Sequence, residues 1–214
     1  MKIVISGTTG VGKSTTVNNL KNYYQKEGKK VIIMGEILVY SPYFDLYFNN
    51  FLNWSFLAQL DFLFERFHQF IEIEQKYKNH KNVVIIYDRH FLEDKIFAEL
   101  RLIKKTRSKE LGLAYEKVYN SMLEKIDLFE KPDFFIVLRA SFDVIIERMK
   151  KRNRLEEQKF DREYWQDLYY RYYSKKANKD IFRKYSKRYL ELDTDYLSIN
   201  KVTKNIIKYI NKRT

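Results

Sequence analysis

Short apolar runs recur along the chain, and each closes on a glycine or a charged residue. Residues 2–6 end at Gly7, Val31-Ile32-Ile33-Met34 at Gly35-Glu36, and Val83-Val84-Ile85-Ile86-Tyr87 at Asp88-Arg89. Phe134-Phe135-Ile136-Val137-Leu138 follows Pro132, and Arg188-Tyr189-Leu190-Glu191-Leu192 precedes Asp193. Runs this short and this continuous predict buried strands. Between them the period changes. Val17, Leu20 and Tyr24 share a face of a helix predicted from Lys13 to about Lys26. Phe56, Leu60, Leu63, Phe67, Phe70 and Ile71 mark a long helix over 54–78. Further helices are expected over 110–130, 141–152, about 161–184 and 199–212.

Strands alternating with helices predict an α/β fold: a five-stranded parallel sheet with helices on both faces, three layers in all. No repeat, linker or low-complexity block interrupts the pattern, so residues 1–214 read as a single domain. Ligands on such sheets bind beyond the carboxyl ends of the strands. Those ends carry Gly7, Glu36, Asp88, Arg139 and Asp193.

The first of these ends is the most informative. Gly7-Thr8-Thr9-Gly10-Val11-Gly12-Lys13-Ser14 is a full P-loop pattern, with a strand before it and a helix after it. Backbone N–H groups of such a loop converge on phosphate oxygens, and the helix N-terminus favours negative charge. Lys13 is placed for the β- and γ-phosphates, and the Ser14 hydroxyl for Mg²⁺; Thr15 follows at the helix start. A nucleoside triphosphate, ATP with Mg²⁺, is the ligand this predicts. Asp88 suits a second Mg²⁺-proximal acid, although Asp is also a good helix N-cap. Arg89 beside it suits a phosphate or substrate. Glu36 could take a proton from an attacking hydroxyl, or be an exposed loop residue. Arg148, Lys150, Lys151, Arg152 and Arg154 precede Glu156-Glu157. They read as a solvated helix face or, beside a P-loop, as a lid over about 148–162 whose arginines offset charge on a transferring phosphate.

Composition narrows the setting. Lys and Arg number 41 against 28 Asp and Glu, a net charge of +13. The basic residues are spread out, so nucleotides satisfy this charge and a nucleic-acid partner is not expected. The absence of Cys excludes disulfides and thiolate metal sites. The apolar start is too short for a signal peptide, and no run nears the roughly 20 residues of a membrane span. A soluble, cytoplasmic protein without a membrane partner is the expectation.

In order, these residues resemble the deoxynucleoside kinase family, which includes the deoxyguanosine, deoxycytidine and deoxyadenosine kinases. The resemblance runs through nearly the whole chain: the P-loop at 7–14, Glu36, Gln59 in Phe56-Leu57-Ala58-Gln59, Asp88-Arg89-His90, Arg152-Asn153-Arg154-Leu155-Glu156-Glu157, and Asp193-Thr194-Asp195. It implies transfer of the γ-phosphate of ATP to the 5′-hydroxyl of a deoxynucleoside. It implies Glu36 as general base, with Arg89 beside that hydroxyl, and Lys13, Arg152 and Arg154 on the phosphates. Gln59 pairs with the base, Glu157 with the 3′-hydroxyl, and Tyr47 or Phe48 lies near that hydroxyl. Asp193, Thr194 and Asp195 border the adenine of ATP. Trp54, Phe62 and Phe91 are candidate walls around the base.

Arg66 lies two helical turns after Gln59 and shares its face. Arg66 and Asp94 resemble the pair that completes the base site in purine- and cytosine-using members; the alternative is a surface ion pair. The short chain resembles the small bacterial deoxyadenosine kinases, which implies deoxyadenosine, with deoxyguanosine or deoxycytidine as near alternatives. The family is commonly dimeric, which implies a homodimer. His90 replaces the family's usual Ser, and Ile37 follows Glu36 where Pro is common. Two rival readings remain open on sequence alone: a nucleoside monophosphate kinase of thymidylate kinase type, and a P-loop switch or nucleic-acid-associated protein.

Overall fold

The structure, a computed structural model, describes residues 1–35, 42–100, 102, 108–158 and 161–213, the side chains of Phe44, Asp45, Phe48, Leu155 and Glu156 excepted. Its centre is the expected parallel sheet, in the order β2-β3-β1-β4-β5. The strands are β1 (Lys2–Ser6), β2 (Lys30–Met34), β3 (Val83–Asp88), β4 (Phe134–Arg139) and β5 (Tyr189–Asp193). β1 and β3 are buried almost throughout, which is why they read as unbroken apolar runs. The register pairs Ile5 with Asp88, Ser6 with Val137, and Arg139 with Asp193. The carboxyl ends of these strands therefore finish along one edge, and Gly7, Asp88, Arg139 and Asp193 lie there.

Consecutive residues of β4 define the layers. The Phe134 ring packs against Tyr209 in α10 (Ile199–Asn211), whereas the Phe135 ring stacks on Phe182 in α9 (Lys176–Lys184). Neighbours on a strand face opposite sides, so α10 and α9 lie on opposite faces of the sheet. α1 (Lys13–Lys26) packs with α10. On the Phe135 side, Phe70 of α3 (Phe51–Tyr77) meets Tyr87, and α3 packs in turn on α5 (Lys109–Ile126). The three-layer α/β/α expectation holds. A second, small apolar cluster of Tyr47, Ala58 and Phe62 sits apart from the main core. It joins α3 to the short helix α2 (Phe44–Asn49).

Several boundaries differ from the sequence reading. The long helix starts at Phe51, where Asn50 caps it by accepting from the Asn53 amide, and α2 precedes it. The helix expected over 161–184 is two: α8 (Arg162–Tyr173) and α9. Its break falls at Ser174-Lys175, where both amides donate to Tyr170 O, and neither Gly nor Pro marks the spot. After β3 the chain makes a 3-10 turn over Phe91–Glu93 and the short helix α4 (Asp94–Ala98). α6 (Phe142–Arg152) ends on Asn153 in the left-handed region, and α7 (Leu155–Gln158) is a single turn. Residues 148–152 of the expected lid thus form the last part of α6. Among the described residues no helix is long and apolar enough to cross a membrane.

Candidate active site

The P-loop takes the form its glycines require. Gly7 has φ +135°, and a Cβ there would lie 2.5 Å from Leu138 O. Gly10 has φ +84°, and a Cβ there would lie 2.8 Å from Met149 Cγ. Both positions combine a backbone that L-residues rarely adopt with a close approach to a neighbour. α1 begins after Gly12 with no acidic residue in its first turn, leaving its positive end to an anion. Thr8 and Val11 are buried; Thr9 is half-buried, and Ser14 and Thr15 are exposed. Lys13, itself buried, bends back so that Nζ donates to Thr8 O at 2.8 Å.

Ser14 Oγ donates to Asp88 Oδ2 at 3.1 Å, which brings the two expected Mg²⁺ ligands together. Asp88 Oδ1 is buried with no hydrogen-bond partner among the described residues. The Ser14 hydroxyl and the Asp88 carboxylate are hard donors of the kind Mg²⁺ prefers, and phosphates and water would complete its sphere. The residues present fit the ion.

Arg89 has φ +77°, unusual for a side chain of its size. Its backbone N–H continues the ladder by donating to Ile5 O at 3.1 Å. Its Nη1 donates to Gly7 O at 3.1 Å and to Tyr172 Oη at 2.7 Å, and lies 3.4 Å from Glu93 Oε2. Arg89 therefore touches the phosphate loop directly. His90 is a structural residue. Its Nδ1 accepts from Leu92 N, while Glu93 Oε1 accepts from His90 N, so the pair caps the 3-10 turn. Burial, with the nearby charge of Arg66, pushes the His90 pKa down to about 3 and keeps it neutral.

On α3, Gln59 and Arg66 are buried, and Arg66 Nε donates to Asp94 Oδ2 at 2.8 Å. The pair is not on the surface: Arg66 is 5% exposed and Asp94 7%. Burial raises the Asp94 pKa to about 6, although Arg66 pulls the other way. Gln59 Nε2 and Arg66 Nη1 are buried without a partner among the described residues. Buried donors are normally satisfied, so these two are candidates for a ligand's acceptors. Tyr47 is buried beside Phe51, and Trp54 stacks on Tyr43. Phe91 instead lies in the main core, stacked on Tyr119 with ring centroids 4.9 Å apart. Glu36 and the side chain of Phe48 lie outside the described residues.

In the expected lid segment, Arg152 is paired with Glu157, and Arg154 is exposed. Lys159 and Phe160 lie outside the described residues. Arg148 acts as a strut: Nη1 and Nη2 hold Thr194 Oγ1 and O at 3.0 and 2.9 Å, and Nη1 reaches Val11 O at 3.5 Å. The Asp193–Asp195 segment is correspondingly fixed. Thr194 N donates to Arg139 O, Asp193 Oδ1 accepts from Asp195 N, and Asp195 Oδ1 accepts from Ser141 N at the start of α6. Sequence reasoning missed Glu93, Tyr172 and Tyr173, all in contact with the loop or with Arg89. The doublet of tyrosines in an aromatic-rich helix was the available signal, and helical period alone reads it as core.

A sequence profile described as "Deoxynucleoside kinase" matches residues 3–213. The deoxyadenosine/deoxycytidine kinase of Bacillus subtilis is 33% identical over 171 residues, 79% of this chain and 74% of that protein. The deoxyguanosine kinase of the same organism is 31% identical over 166 residues, 78% of this chain and 73% of that protein. Among solved structures, the deoxyadenosine kinase from M. mycoides with bound dATP superposes with a TM-score of 0.77 at 27% identity, covering 99% of this chain and 100% of that one. With a parallel sheet that converges on a P-loop and near-complete coverage by the profile, this chain belongs to the deoxynucleoside kinase family and is a nucleotide-binding phosphotransferase acting on deoxynucleosides.

Proposed function

We propose that this kinase phosphorylates the 5′-hydroxyl of deoxyadenosine with ATP, and accepts deoxyguanosine or deoxycytidine less well. The observation that carries this reading is the buried Arg66–Asp94 pair on the Gln59 face of α3. Gln59 offers a donor and an acceptor, Arg66 a free donor, and Asp94 a carboxylate. That set suits a base with an exocyclic amino group beside a ring nitrogen. Thymine, which offers carbonyls there, would set its oxygens against the Asp94 carboxylate. The names of the relatives, which span adenine, guanine and cytosine deoxynucleosides, support the class.

In this mechanism Glu36, after β2, takes the proton of the 5′-hydroxyl. The hydroxyl oxygen bonds to the γ-phosphorus as the bridging β–γ P–O bond breaks and ADP departs. Arg89 holds the hydroxyl end. Lys13, Arg152 and Arg154 offset charge on the transferring group. Gly7, Thr8, Thr9, Gly10, Val11, Gly12, Ser14 and Thr15 cradle the phosphates, and Asp193, Thr194 and Asp195 border the adenine. Glu157 and Tyr47, or Phe48, meet the 3′-hydroxyl. Ser14 and Asp88 would hold Mg²⁺, which would draw charge from the β- and γ-phosphates.

We extend the reading to a single domain over 1–214 with its lid at about 148–162, acting in nucleotide salvage as a cytoplasmic homodimer. Exposed Leu57 and Phe64 on α3 and Leu113 on α5 favour a helix-packed dimer; light scattering at the mass of one chain would remove that part. The test of the reaction is a panel of deoxynucleosides with labelled ATP and Mg²⁺, including thymidine monophosphate. Deoxyadenosine should give the highest kcat/KM. Label found only on the monophosphate, or fastest on thymidine, would end this reading.

A further inference from the structure

α8 ends on two adjacent tyrosines whose hydroxyls address two different parts of the site. Both side chains are buried. Tyr172 Oη donates to Glu93 Oε2 at 2.8 Å and accepts from Arg89 Nη1 at 2.7 Å. Tyr173 Oη donates to Leu138 O at 2.7 Å and accepts from Thr8 N at 3.1 Å. Successive helical residues point about 100° apart, so one helix end serves both contacts.

Each hydroxyl supports a demanding feature. Arg89 is held in the left-handed region, a conformation that persists only where its surroundings over-determine it. Glu93 is fully buried, and its two oxygens are committed to His90 N on one side and to Tyr172 and Arg89 on the other. The Tyr173 hydroxyl meets the loop where Gly7 turns; a Cβ on Gly7 would lie 3.2 Å from it. Phenylalanine would fill either ring position, so packing alone leaves both hydroxyls unexplained.

We propose that Tyr172 and Tyr173 are positioning residues for phosphoryl transfer: Tyr172, with Glu93, fixes the Arg89 guanidinium, and Tyr173 fixes the phosphate loop at Thr8. Neither hydroxyl touches reacting atoms; each acts through another residue. The inference rests on the place proposed above for Arg89. The two hydroxyls then fail differently when removed. Loss of the first loosens the group that holds the 5′-hydroxyl end and lowers kcat. Loss of the second leaves the buried Thr8 N–H without its partner in the cradle and weakens ATP binding.

The experiment is steady-state kinetics of the full chain with ATP, Mg²⁺ and deoxyadenosine, together with urea midpoints. Tyr185→Phe is the control. That hydroxyl bonds Asp127 at 3.1 Å between segments preceding β4 and β5, at the opposite edge of the sheet. Tyr172→Phe should lower kcat about tenfold with KM for ATP within about twofold. Tyr173→Phe should raise KM for ATP about tenfold with kcat within about threefold. Tyr185→Phe should move neither. In an Arg89→Lys background, Tyr172→Phe should lower kcat less than about twofold further, because its route is already cut. Wild-type constants in both tyrosine variants, the same parameter moved equally by both, or a full tenfold loss on top of Arg89→Lys would each overturn the proposal. Wild-type kcat in Arg89→Lys itself would instead overturn the reading of Arg89, and the Tyr173 result would still stand alone. Should Tyr172→Phe not fold, Glu93→Gln takes its place with the same expected kcat loss, and a wild-type kcat there overturns the proposal.

Discussion

The two ends of this site are built on opposite plans. At the phosphate end almost every group is already engaged. Gly7 O accepts from Arg89, Thr8 O accepts from Lys13, Thr8 N donates to Tyr173, and Arg148 spans Val11 and Thr194. Most of these contacts involve backbone, so they fix the loop's shape whatever the nucleoside. At the proposed base end the architecture is one small apolar cluster and one buried ion pair, with donors on Gln59 and Arg66 left unpartnered among the described residues. The lesson is a division of labour. In the proposed reading, reaction class is held by a backbone frame, and substrate choice by a few side chains that can change without disturbing it.

The sharpest way to break that contrast is at Gly7. Gly7→Ala sets a Cβ against Leu138 O and strains φ, so turnover should fall by roughly 10³-fold or more. Stability should fall by about 2–4 kcal/mol in urea titrations. Turnover within tenfold of wild type would show that the frame is adaptable after all. Next comes the chemistry between the two ends. Glu36→Gln should lower turnover by roughly 10²-fold or more and leave ATP binding largely intact, as single-turnover kinetics and equilibrium binding can separate. Wild-type-like turnover would remove Glu36 from the mechanism.

Smaller effects belong to the base end. Arg66→Leu or Asp94→Asn should shift the kcat/KM ratios among deoxyadenosine, deoxyguanosine, deoxycytidine and thymidine by about tenfold, in line with about 1–3 kcal/mol for a base contact. Equal losses for all four nucleosides would dissolve the division between the ends. The smallest effect is in pH dependence. His90 titrates near 3 when folded instead of its ordinary 6.5, so the unfolded chain takes up a proton that the folded chain refuses. Its contribution to stability is therefore lost as pH falls from about 6.5 towards 3. Asp94 acts in the opposite sense. Its value of about 6, against an ordinary 3.8, makes stability decline as pH rises through that window. His90→Ser should flatten the acid limb by no more than about 1.4 kcal/mol per pH unit, seen as urea midpoints at pH 7, 6 and 5. An unchanged limb would place the acid sensitivity elsewhere.

Much of this was legible from the chain itself. The strands were readable because residues such as Ile3–Ile5 and Val83–Tyr87 are buried on both faces and so must be apolar in succession. The loop was readable because phosphate geometry demands glycine at fixed places. The Gln59–Arg66 face followed from helical period. What stayed hidden has local reasons. The turn after Arg89 is capped by a histidine, a side chain seldom read as a cap. The break at Ser174 carries neither glycine nor proline. Asp195 reads as a loop residue, and nothing near it in sequence announces that it caps Ser141, 54 residues away. Tyr172 and Tyr173 look like any other core aromatics until their hydroxyls are traced.

The backbone at Arg89 has a consequence for how such a chain can drift. Considered alone, a left-handed residue invites replacement by glycine, worth about 1 kcal/mol in relieved strain. Here that exchange would strand the fully buried Glu93 carboxylate, which is ion-paired with the Arg89 guanidinium. Positions 89 and 93 are thus locked as a unit. Sequences that wander at one should be found to have wandered at the other, and a library randomised at residue 89 alone should return arginine.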